Sequence, residues 1–272
     1  MGKYDNDSLG TRMKFYESMA MPKRLMPLLP VMIRLDGVAF HTFTKGLNRP
    51  YDLRLSKMMI ETTKFLVKET NARIGYTQSD EISLLLYSNR HESQIYFDGK
   101  AAKIMSILAA RTSLFFNSLL EDMIPEKANK VPVFDCRVWN VPNQTEVMNS
   151  FLWREQDATR NSISMAAQSM YSHTALHGKS SSEKQEMIFQ KGMNWNDYPT
   201  FFKRGSYVQR RQVERSFTLE ELEKLPAKHA ARTVPNLKIV RSDVFHLDLP
   251  PLSKIENYID VLFNGTNPIQ RN

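Results

Sequence analysis

The sequence predicts an α+β fold in which helices cover one face of an antiparallel sheet. Short apolar runs that end in turn residues alternate with longer segments whose apolar residues recur every three or four positions, as in a half-buried helix. Between residues 31 and 140, these segments follow the order strand, helix, strand, strand, helix, strand. This is the ferredoxin-like βαββαβ arrangement.

The 272 residues suit one large domain or two modest ones.

Each element of this half has its own signal. The first apolar run ends abruptly at Asp36-Gly37, which is typical of a strand followed by a turn. Two later runs flank the polar sequence Gln78-Ser79-Asp80, which predicts a hairpin with an acidic tip. The predicted strands cover 31–35, 72–77, 82–87 and 134–138, and the predicted helices cover 52–70 and 100–121.

The second half is predicted to be a mostly helical and basic region. A helix is expected over 154–172, and Ser180 can cap another that continues to Ile188. Residues 193–205 are expected to form an ordered, aromatic-rich loop. Between 201 and 245, ten Lys and Arg residues face five Asp and Glu residues, so this stretch supplies most of the net charge of +8. We therefore divide the chain into domains at 1–150 and 151–272.

Composition limits the classes of binding partner and the cellular compartments that are compatible with the sequence. The positive charge favours a polyanion, but leaves RNA, DNA and an anionic membrane open. Cys136 is the only cysteine, which excludes an internal disulfide and a cysteine-based zinc site. The N-terminus lacks the apolar core of a signal peptide, and no apolar run approaches the roughly 20 residues that span a bilayer. We expect a reducing, cytoplasmic location.

Carboxylates lie at the ends of two strands that the predicted order places side by side. Asp36 ends the first strand, and Asp80 and Glu81 form the hairpin tip. Magnesium prefers oxygen ligands and usually takes one or two protein carboxylates. Two such ions can hold the attacking and departing oxygens of a phosphoryl transfer. The alternative is a plain turn at Asp36-Gly37 and a solvated acidic tip, which leaves the acids without chemistry.

The loop after the first strand is a candidate phosphate cradle. Successive backbone N–H groups over 37–44 can surround phosphate oxygens, and cations are predicted to flank the acids. A surface histidine and a solvated helix face are the alternatives for His41 and for the lysines. The candidate nucleotide contacts are Gly37, Val38, Ala39, Phe40, His41, Arg49, Lys100 and Lys103.

A basic and aromatic cluster near residue 205 is a candidate RNA-binding surface. Lys203, Arg204, Arg210 and Arg211 are interleaved with phenylalanine and tyrosine, a mixture that suits single-stranded or end-on RNA recognition. Taken singly, each cation is equally compatible with a solvated surface.

Other residues are expected to be structural. Cys136 has no evident base partner and is expected to pack without a catalytic role. Trp153 and Trp195 are expected in the core.

Short motifs spread over roughly residues 31–211 together resemble the tRNA-histidine guanylyltransferase family and its guanylyltransferase-like relatives, the reverse-direction (3′-to-5′) RNA polymerases. Each motif is weak alone, and their shared order makes the resemblance specific. They are Arg34-Leu35-Asp36-Gly37, Phe40-His41-x-Phe43, Arg49-Pro50-x-Asp52, Gln78-Ser79-Asp80-Glu81-x-Ser83, Phe134-Asp135-x-Arg137, Trp153-Arg154-x-x-Asp157, Lys184-x-Glu186-x-Ile188-Phe189 and Arg204-Gly205.

The resemblance implies a polymerase-like palm over 1–150 and a tRNA-binding region over 151–272 packed on it. It implies that Asp36 and Asp80 hold two Mg²⁺ ions together with the Gly37 carbonyl, and that Glu81 supports this site. Ser79 joins Arg49, Lys100 and Lys103 as a contact of the triphosphate. The tRNA contacts expected from the resemblance and the basic cluster are Arg160, Asn161, Lys184, Lys203, Arg204, Arg210 and Arg211.

The implied reaction is nucleotide addition to the 5′ end of tRNA by a homotetramer. A 5′-monophosphate is activated with ATP, the 3′-hydroxyl of GTP attacks, and pyrophosphate is then removed. Eukaryotic members that act on tRNA-histidine carry His-Ile-Asn-Asn where this chain has Thr159-Arg160-Asn161-Ser162. This departure favours template-dependent repair of 5′-truncated tRNAs over guanosine addition to tRNA-histidine. A nucleotide cyclase on the same palm and a non-catalytic RNA-binding module remain the alternatives.

Overall fold

Antiparallel strands form one continuous sheet through the chain. The computed structural model describes residues 8–20, 24–90, 92–93, 95–234 and 236–271. The strand order is β4-β1-β3-β2-β5-β6, and every neighbouring pair is antiparallel. The strands are β1 (Val31–Gly37), β2 (Ile74–Gln78), β3 (Glu81–Leu86), β4 (Phe134–Asn140), β5 (Ser206–Ser216) and β6 (Lys238–Leu247).

The helices vary from single turns to seven turns. Short 3₁₀ turns occur at Tyr96–Gly99, Pro125–Lys127, Trp195–Asp197 and Leu252–Lys254. The α-helices are α1 (Ser8–Ala20), α2 (Phe40–Phe43), α3 (Leu53–Thr70), α4 (Ala101–Ser118), α5 (Leu120–Met123), α6 (Gln144–Gln168), α7 (His173–Leu176), α8 (Ser181–Gln190), α9 (Thr200–Arg204), α10 (Leu219–Lys224), α11 (Ala230–Thr233) and α12 (Tyr258–Asn264). No helix among the described residues is both long and apolar enough to cross a membrane.

The predicted βαββαβ order is confirmed by β1, α3, β2, β3, α4 and β4. Their order in the sheet, 4-1-3-2, is that of a ferredoxin-like unit.

Local capping explains where two of the helices begin. The side chain of Asp52 accepts a hydrogen bond from the Arg54 amide at 2.9 Å and begins α3. Ser180 and Glu183 form a capping box at the start of α8, as the sequence predicts for Ser180.

Two apolar layers pack on the two faces of the sheet, because alternate strand residues point to opposite sides. On one face, Ile33 and Leu84 belong to a buried cluster with Leu66 of α3 and with residues of α4. On the other face, Met32 belongs to a cluster with Phe151 of α6 and with residues of α12. Asp36 lies an even number of residues from Met32, so it faces the α6 side at the end of its strand.

The second half contains two strands that the sequence did not predict. β5 pairs with β2 from Thr77↔Ser206 to Ile74↔Gln209 and continues beyond it with β6. Charged residues interrupt the apolar alternation where the β5–β6 ribbon leaves the body of the sheet, which hides the strand signal. The sheet is therefore continuous between the two predicted domains, and the boundary at residue 150 lies inside α6. The division itself stays a prediction.

Two further expectations are corrected. The segment 193–205 is partly helical, since it contains α9, and its Phe202 packs with Ile163 and Ile188 in a small third cluster. α6 begins ten residues earlier than predicted because Asn143 caps it. Trp153 is not in the core: it lies on α6 with 54% of its surface exposed.

Candidate active site

Asp36 and Asp80 meet at one end of the sheet, where β1 finishes beside the β2–β3 hairpin. Asp36 is directly opposite Glu81 in the β1–β3 register. The Gly37 amide donates a hydrogen bond to the Asp80 carbonyl at 3.1 Å, which ties the end of β1 to the hairpin tip. Residues 44 positions apart in the sequence are thereby brought together on rigid strands, as the predicted order requires.

The charges of these two carboxylates are not compensated by cations. Neither Asp36 nor Asp80 lies within 4.0 Å of a basic nitrogen of any residue that the structure describes. Burial raises the pKa of Asp80, a hydrogen bond from Ser79 opposes this, and the nearby charge of Asp36 raises the pKa further. The site thus concentrates negative charge that the folded chain leaves unneutralised.

Glu81 is neutralised, in contrast to its two neighbours. Its carboxylate accepts two hydrogen bonds from the Arg154 guanidinium, from Nε at 2.7 Å and from Nη2 at 2.6 Å. Arg154 also lies 3.3 Å from Asp157, one turn along α6. Burial raises the pKa of Glu81, and the charge of Arg154 opposes that rise. Glu81 therefore anchors α6 to the sheet beside the site, a contact that sequence patterns cannot locate.

A metal ion at this end would be held by the carboxylates of Asp36 and Asp80. Among the described residues, no cluster of three or more His, Cys, Asp or Glu side chains is arranged to hold a metal. Magnesium needs only one or two protein carboxylates, with water and substrate oxygens completing its shell. The two uncompensated carboxylates therefore fit magnesium, and do not fit a metal that requires an all-protein cage.

Asp135 is an acidic residue of this region that sequence reasoning did not select. It lies directly opposite Asp36 in the β1–β4 register, and its carboxylate is 3.5 Å from the Arg137 guanidinium. The signal was present in the Phe134-Asp135-x-Arg137 motif. The same strand holds Cys136, whose pKa is raised to about 12 by burial and by the charge of Asp135. Its thiol stays protonated near neutral pH, which agrees with the expected lack of a catalytic role.

The loop after β1 is fixed by an aromatic cluster beneath it. The Phe40 ring packs against Phe43, Phe116 and Phe134 at centroid distances of 5.2, 5.6 and 5.0 Å. A Cβ atom at Gly37 would lie 2.2 Å from the Phe40 ring, so only glycine allows this approach. The Phe40 side chain is consequently a core anchor, and only its backbone can contribute to the predicted nucleotide contact.

Part of the predicted phosphate cradle is already used by the fold. The Gly37 amide bonds to Asp80, and the Val38 amide donates to the Val133 carbonyl at 2.9 Å. The amides of Ala39, Phe40 and His41 make no hydrogen bond to another residue that the structure describes. These amides lie at the start of α2, while the His41 and Val38 side chains are exposed.

A cleft opens directly beside the carboxylates. A cavity of about 360 Å³ is lined by Asp80, Ser79 and His41, together with Gly37, Ala39, Phe40, Thr44 and Leu55. An adjoining hollow shares Thr44, Leu55 and Ser79 with it and is lined by Arg49 on its far side. Ser79 thus lies at the same cleft as Asp80, and Arg49 lies in the hollow that adjoins it.

Lys100 and Lys103 are not brought to this cleft. β3 runs away from the hairpin tip, so α4, which follows it, begins at the opposite end of the sheet. There, Lys100 pairs with Arg24 in a short β-bridge, and the Lys103 ammonium lies 5.0 Å from the centre of the Phe97 ring. Within a single chain, these lysines do not flank the carboxylates, so that expectation was wrong.

The predicted tRNA contacts do not form one patch. Lys203 and Arg204 lie near the carboxylate end, where the Tyr76 hydroxyl donates to the Arg204 carbonyl at 2.8 Å. Arg210 and Arg211 lie farther along β5 and point to opposite faces, Arg210 toward Ala72 and Arg211 toward Asn267.

The remaining predicted tRNA contacts lie on or beside α6. Arg160 and Asn161 both bond to Asp157, at 3.1 and 3.3 Å. The Lys184 ammonium donates to the Ser164 hydroxyl at 3.1 Å. These residues are near one another, on a surface separate from Arg210 and Arg211.

Known proteins share this sequence and architecture. The family described as "Thg1: tRNAHis guanylyltransferase" matches residues 10–142. The solved structure of a bacterial tRNA(His) guanylyltransferase (Thg1)-like protein in complex with GTP is 31% identical, with a TM-score of 0.71 over 93% of this chain and 99% of that one. A second such bacterial protein, in complex with ATP, is 39% identical, with a TM-score of 0.70 over 74% of this chain and 88% of that one.

Curated sequences agree. The tRNA(His) guanylyltransferase of Saccharomyces cerevisiae is 28% identical over 205 residues, 69% of this chain and 85% of the yeast protein. The uncharacterized protein R259 of Acanthamoeba polyphaga mimivirus is 25% identical over 77% of this chain and 79% of its own length. The α+β fold with a palm-like sheet is confirmed by these relatives. The chain belongs to the Thg1 family of tRNA(His) guanylyltransferases and is a nucleotidyltransferase.

Proposed function

We propose that this protein adds nucleotides to the 5′ end of tRNA, growing the chain in the 3′-to-5′ direction. The observation that carries the proposal is the pair of uncompensated carboxylates, Asp36 and Asp80, beside an open cleft. Two Mg²⁺ ions held by these carboxylates and the Gly37 carbonyl would neutralise the charge that accumulates during phosphoryl transfer. A non-catalytic RNA-binding module would leave this half-buried pair of acids without a role.

The residues around the carboxylates have separate tasks in this proposal. Ser79 at the cleft and Arg49 in the adjoining hollow contact the triphosphate of the incoming nucleotide, and the free amides at the start of α2 donate hydrogen bonds to its oxygens. Glu81, through Arg154, keeps α6 against the sheet so that the end of β1 does not shift. Positioning and electrostatics provide most of the catalysis in phosphoryl transfer, so no covalent nucleophile is required.

The nucleotide chemistry follows the family. ATP transfers its adenylyl group to the 5′-monophosphate of the tRNA and releases pyrophosphate. The 3′-hydroxyl of GTP then attacks the activated phosphate and expels AMP, and water hydrolyses the 5′-triphosphate of the added nucleotide to release a second pyrophosphate. Complexes of two bacterial relatives, one with ATP and one with GTP, support these two substrates. The acceptor tRNA contacts cations of the second half, among them the exposed Arg160 and the partly exposed Lys184 and Lys203. The resemblance further leads us to expect a cytoplasmic homotetramer.

Repair of 5′-truncated tRNAs is the favoured form of the reaction. In this chain, the segment Thr159-Arg160-Asn161-Ser162 replaces the His-Ile-Asn-Asn of eukaryotic tRNA-histidine enzymes. Ser162 is buried and its hydroxyl accepts a hydrogen bond from the Trp195 indole at 3.1 Å, so it is not available to tRNA. Guanosine addition to tRNA-histidine is the second candidate, and the yeast relative named for that reaction supports it.

A competition assay distinguishes the two forms. The enzyme is incubated with Mg²⁺, all four nucleoside triphosphates and an equimolar mixture of intact tRNA-histidine and a tRNA that lacks its first 5′ nucleotide. We expect templated restoration of the truncated tRNA to be the faster reaction. A clear preference for the intact tRNA-histidine would overturn the repair assignment and support the second candidate.

A further inference from the structure

The end of the sheet opposite the carboxylates carries a second cavity, of about 230 Å³. It is bounded by the start of β1, the C-terminal end of α3, the end of β3 and the loop before α4. Three arginines, Arg73, Arg90 and Arg210, line it, together with the aromatic rings of Tyr87 and Tyr96. The seven residues of β1, at about 3.3 Å each, separate this cavity from the active-site cleft by roughly 20 Å.

Arg73 and Arg210 lie opposite each other on neighbouring strands. The Arg210 amide donates to the Arg73 carbonyl at 3.1 Å, so the pair continues the β2–β5 ladder. Like charges placed directly across two strands destabilise a sheet. Burial, together with the charge of Arg73, lowers the pKa of Arg210, in agreement with this like-charge contact. An arginine pair at this position carries a cost that the fold alone does not explain.

Backbone carbonyls, and not carboxylates, orient these guanidinium groups. The Arg73 Nε donates to the Tyr87 carbonyl at 3.0 Å, and the Arg210 Nε donates to the Ala72 carbonyl at 3.1 Å. None of the three arginines forms an ion pair with a carboxylate of any residue that the structure describes. The Arg210 Nη1 also donates to the Asn71 amide oxygen at 3.4 Å, and the other terminal nitrogens remain to bind an anion while Nε holds each fork in place.

We propose that this cavity is a binding site for a phosphate ester, the phosphate of a nucleotide either free or within an RNA chain. Planar guanidinium forks bind phosphate through paired hydrogen bonds, and several of them together share its charge. The tyrosine rings beside them offer surfaces on which a base can stack. The cavity is smaller than the roughly 300–1,000 Å³ of pockets for drug-sized ligands, which suits one nucleotide unit.

This site acts independently of nucleotide addition. The cavity is lined by no acidic side chain, so its ligand needs no divalent cation, whereas nucleotide binding at Asp36 and Asp80 depends on one. Chelation of divalent cations therefore separates the two sites experimentally. Failure of the proposed catalytic function would leave this binding unchanged.

The test is equilibrium binding in EDTA, with GMP as the free ligand, inorganic phosphate as competitor, and tRNA as the polymeric ligand. The double variant Arg73→Gln with Arg210→Gln is compared with Arg111→Gln, a nearby arginine that is paired with Glu69 and lies outside the cavity. We expect the double variant to weaken binding by about tenfold and the control to stay near wild type. Inorganic phosphate should displace the bound GMP.

The two ligands identify the source of the phosphate. A tenfold loss for GMP with tRNA binding retained assigns the site to a free nucleotide, and a loss confined to tRNA assigns it to an RNA phosphate. Wild-type affinity for both ligands in a folded double variant would overturn the proposal. Should the double variant fail to fold, as judged by circular dichroism, the exposed Arg90→Gln variant decides the question by the same measurements.

Discussion

The two ends of one sheet carry opposite charges, and neither is neutralised by the described part of the chain. At one end, β1 and the β2–β3 hairpin bring Asp36 and Asp80 together. At the other end, β2 and β5 bring Arg73 and Arg210 together. Both pairs are set on paired strands that cannot move apart. We propose that each end binds a ligand of the opposite charge, a cation at the carboxylate end and a phosphate at the arginine end.

Glu81 shows what a neutralised charge does in the same place. It lies opposite Asp36, but a bidentate contact with Arg154 satisfies it. Its role is to join α6 to the sheet. Glu81 therefore has a structural role, whereas Asp36 and Asp80 are free to bind a ligand. The variants below test this difference.

Asp36→Asn and Asp80→Asn should have the largest effect. Each removes a carboxylate that we propose as a ligand for the metal, so we expect nucleotide addition to fall by at least about a hundredfold. Binding of tRNA should largely survive, because the exposed cations are untouched. A 5′-extension assay and a filter-binding assay measure the two properties. The exposed Asp122→Asn variant on α5 is the matched control and should keep its activity. Normal activity in either site variant would remove the metal assignment.

Arg154→Met should be the most destabilising change at the carboxylate end. It leaves the buried Glu81 carboxylate without its partner, which costs about 3–5 kcal/mol in free energy of unfolding. Adding Glu81→Gln removes the stranded charge and should recover much of the loss. Urea denaturation of the single and double variants checks this. A double variant as unstable as the single would show that Glu81 and Arg154 are not coupled.

Gly37→Ala should have a smaller effect on stability and a clear effect on activity. The added Cβ meets the Phe40 ring, which is held by its aromatic neighbours, so the loop must shift at a cost of about 1–3 kcal/mol. The displaced backbone changes the position of the Gly37 carbonyl and reduces nucleotide addition. Gly46→Ala, where a Cβ meets no atom within 4 Å, is a comparison for the added methyl group, although its φ of +89° brings its own strain. Equal activity of Gly37→Ala and wild type would contradict this role for the loop.

Glu155→Gln should have the smallest effect, and one that depends on pH. Glu155 is buried between the two ends of the sheet, where its carboxylate accepts hydrogen bonds from Tyr207 and from the Leu252 amide. Burial raises the pKa of Glu155, so the folded state favours the protonated acid, and this stability is lost as pH rises through the raised pKa.

The variant removes that titration. Thermal denaturation from pH 4 to 8 should show wild type losing stability relative to Glu155→Gln as pH rises, on the order of 1 kcal/mol for each unit of pKa shift. A stability difference that is constant over this range would contradict the raised pKa. The hydrogen bonds from Tyr207 and Leu252 set the baseline of the comparison, because the amide can keep only part of them.

Much of the carboxylate end was predictable from the sequence, because the order of strands and helices in a βαββαβ unit decides which strand ends are neighbours. Asp36 and Asp80 meet for that reason. The same reasoning, carried one element further, places the start of α4 at the opposite end, and the expectation for Lys100 and Lys103 overlooked it. The direction in which β3 runs determines where α4 begins, whereas the short distance along the sequence between Asp80 and Lys100 does not.

Long-range pairings were beyond prediction. The contact between Glu81 and Arg154 joins residues 73 positions apart, and no periodic pattern marks it. β5 was hidden because its exposed half carries charges on both faces. The arginine pair depends on the pairing of β2 with β5, so the second cavity could be found only in the structure.

The direction of chain growth tests the central claim most directly. A tRNA that lacks its first 5′ nucleotide is labelled at its 3′ end and incubated with the enzyme, Mg²⁺ and nucleoside triphosphates, and the product is sequenced from both ends. We expect one nucleotide, complementary to the opposing base, to be added at the 5′ end by wild type and not by Asp80→Asn. Growth at the 3′ end, or no growth at either end, would contradict the account.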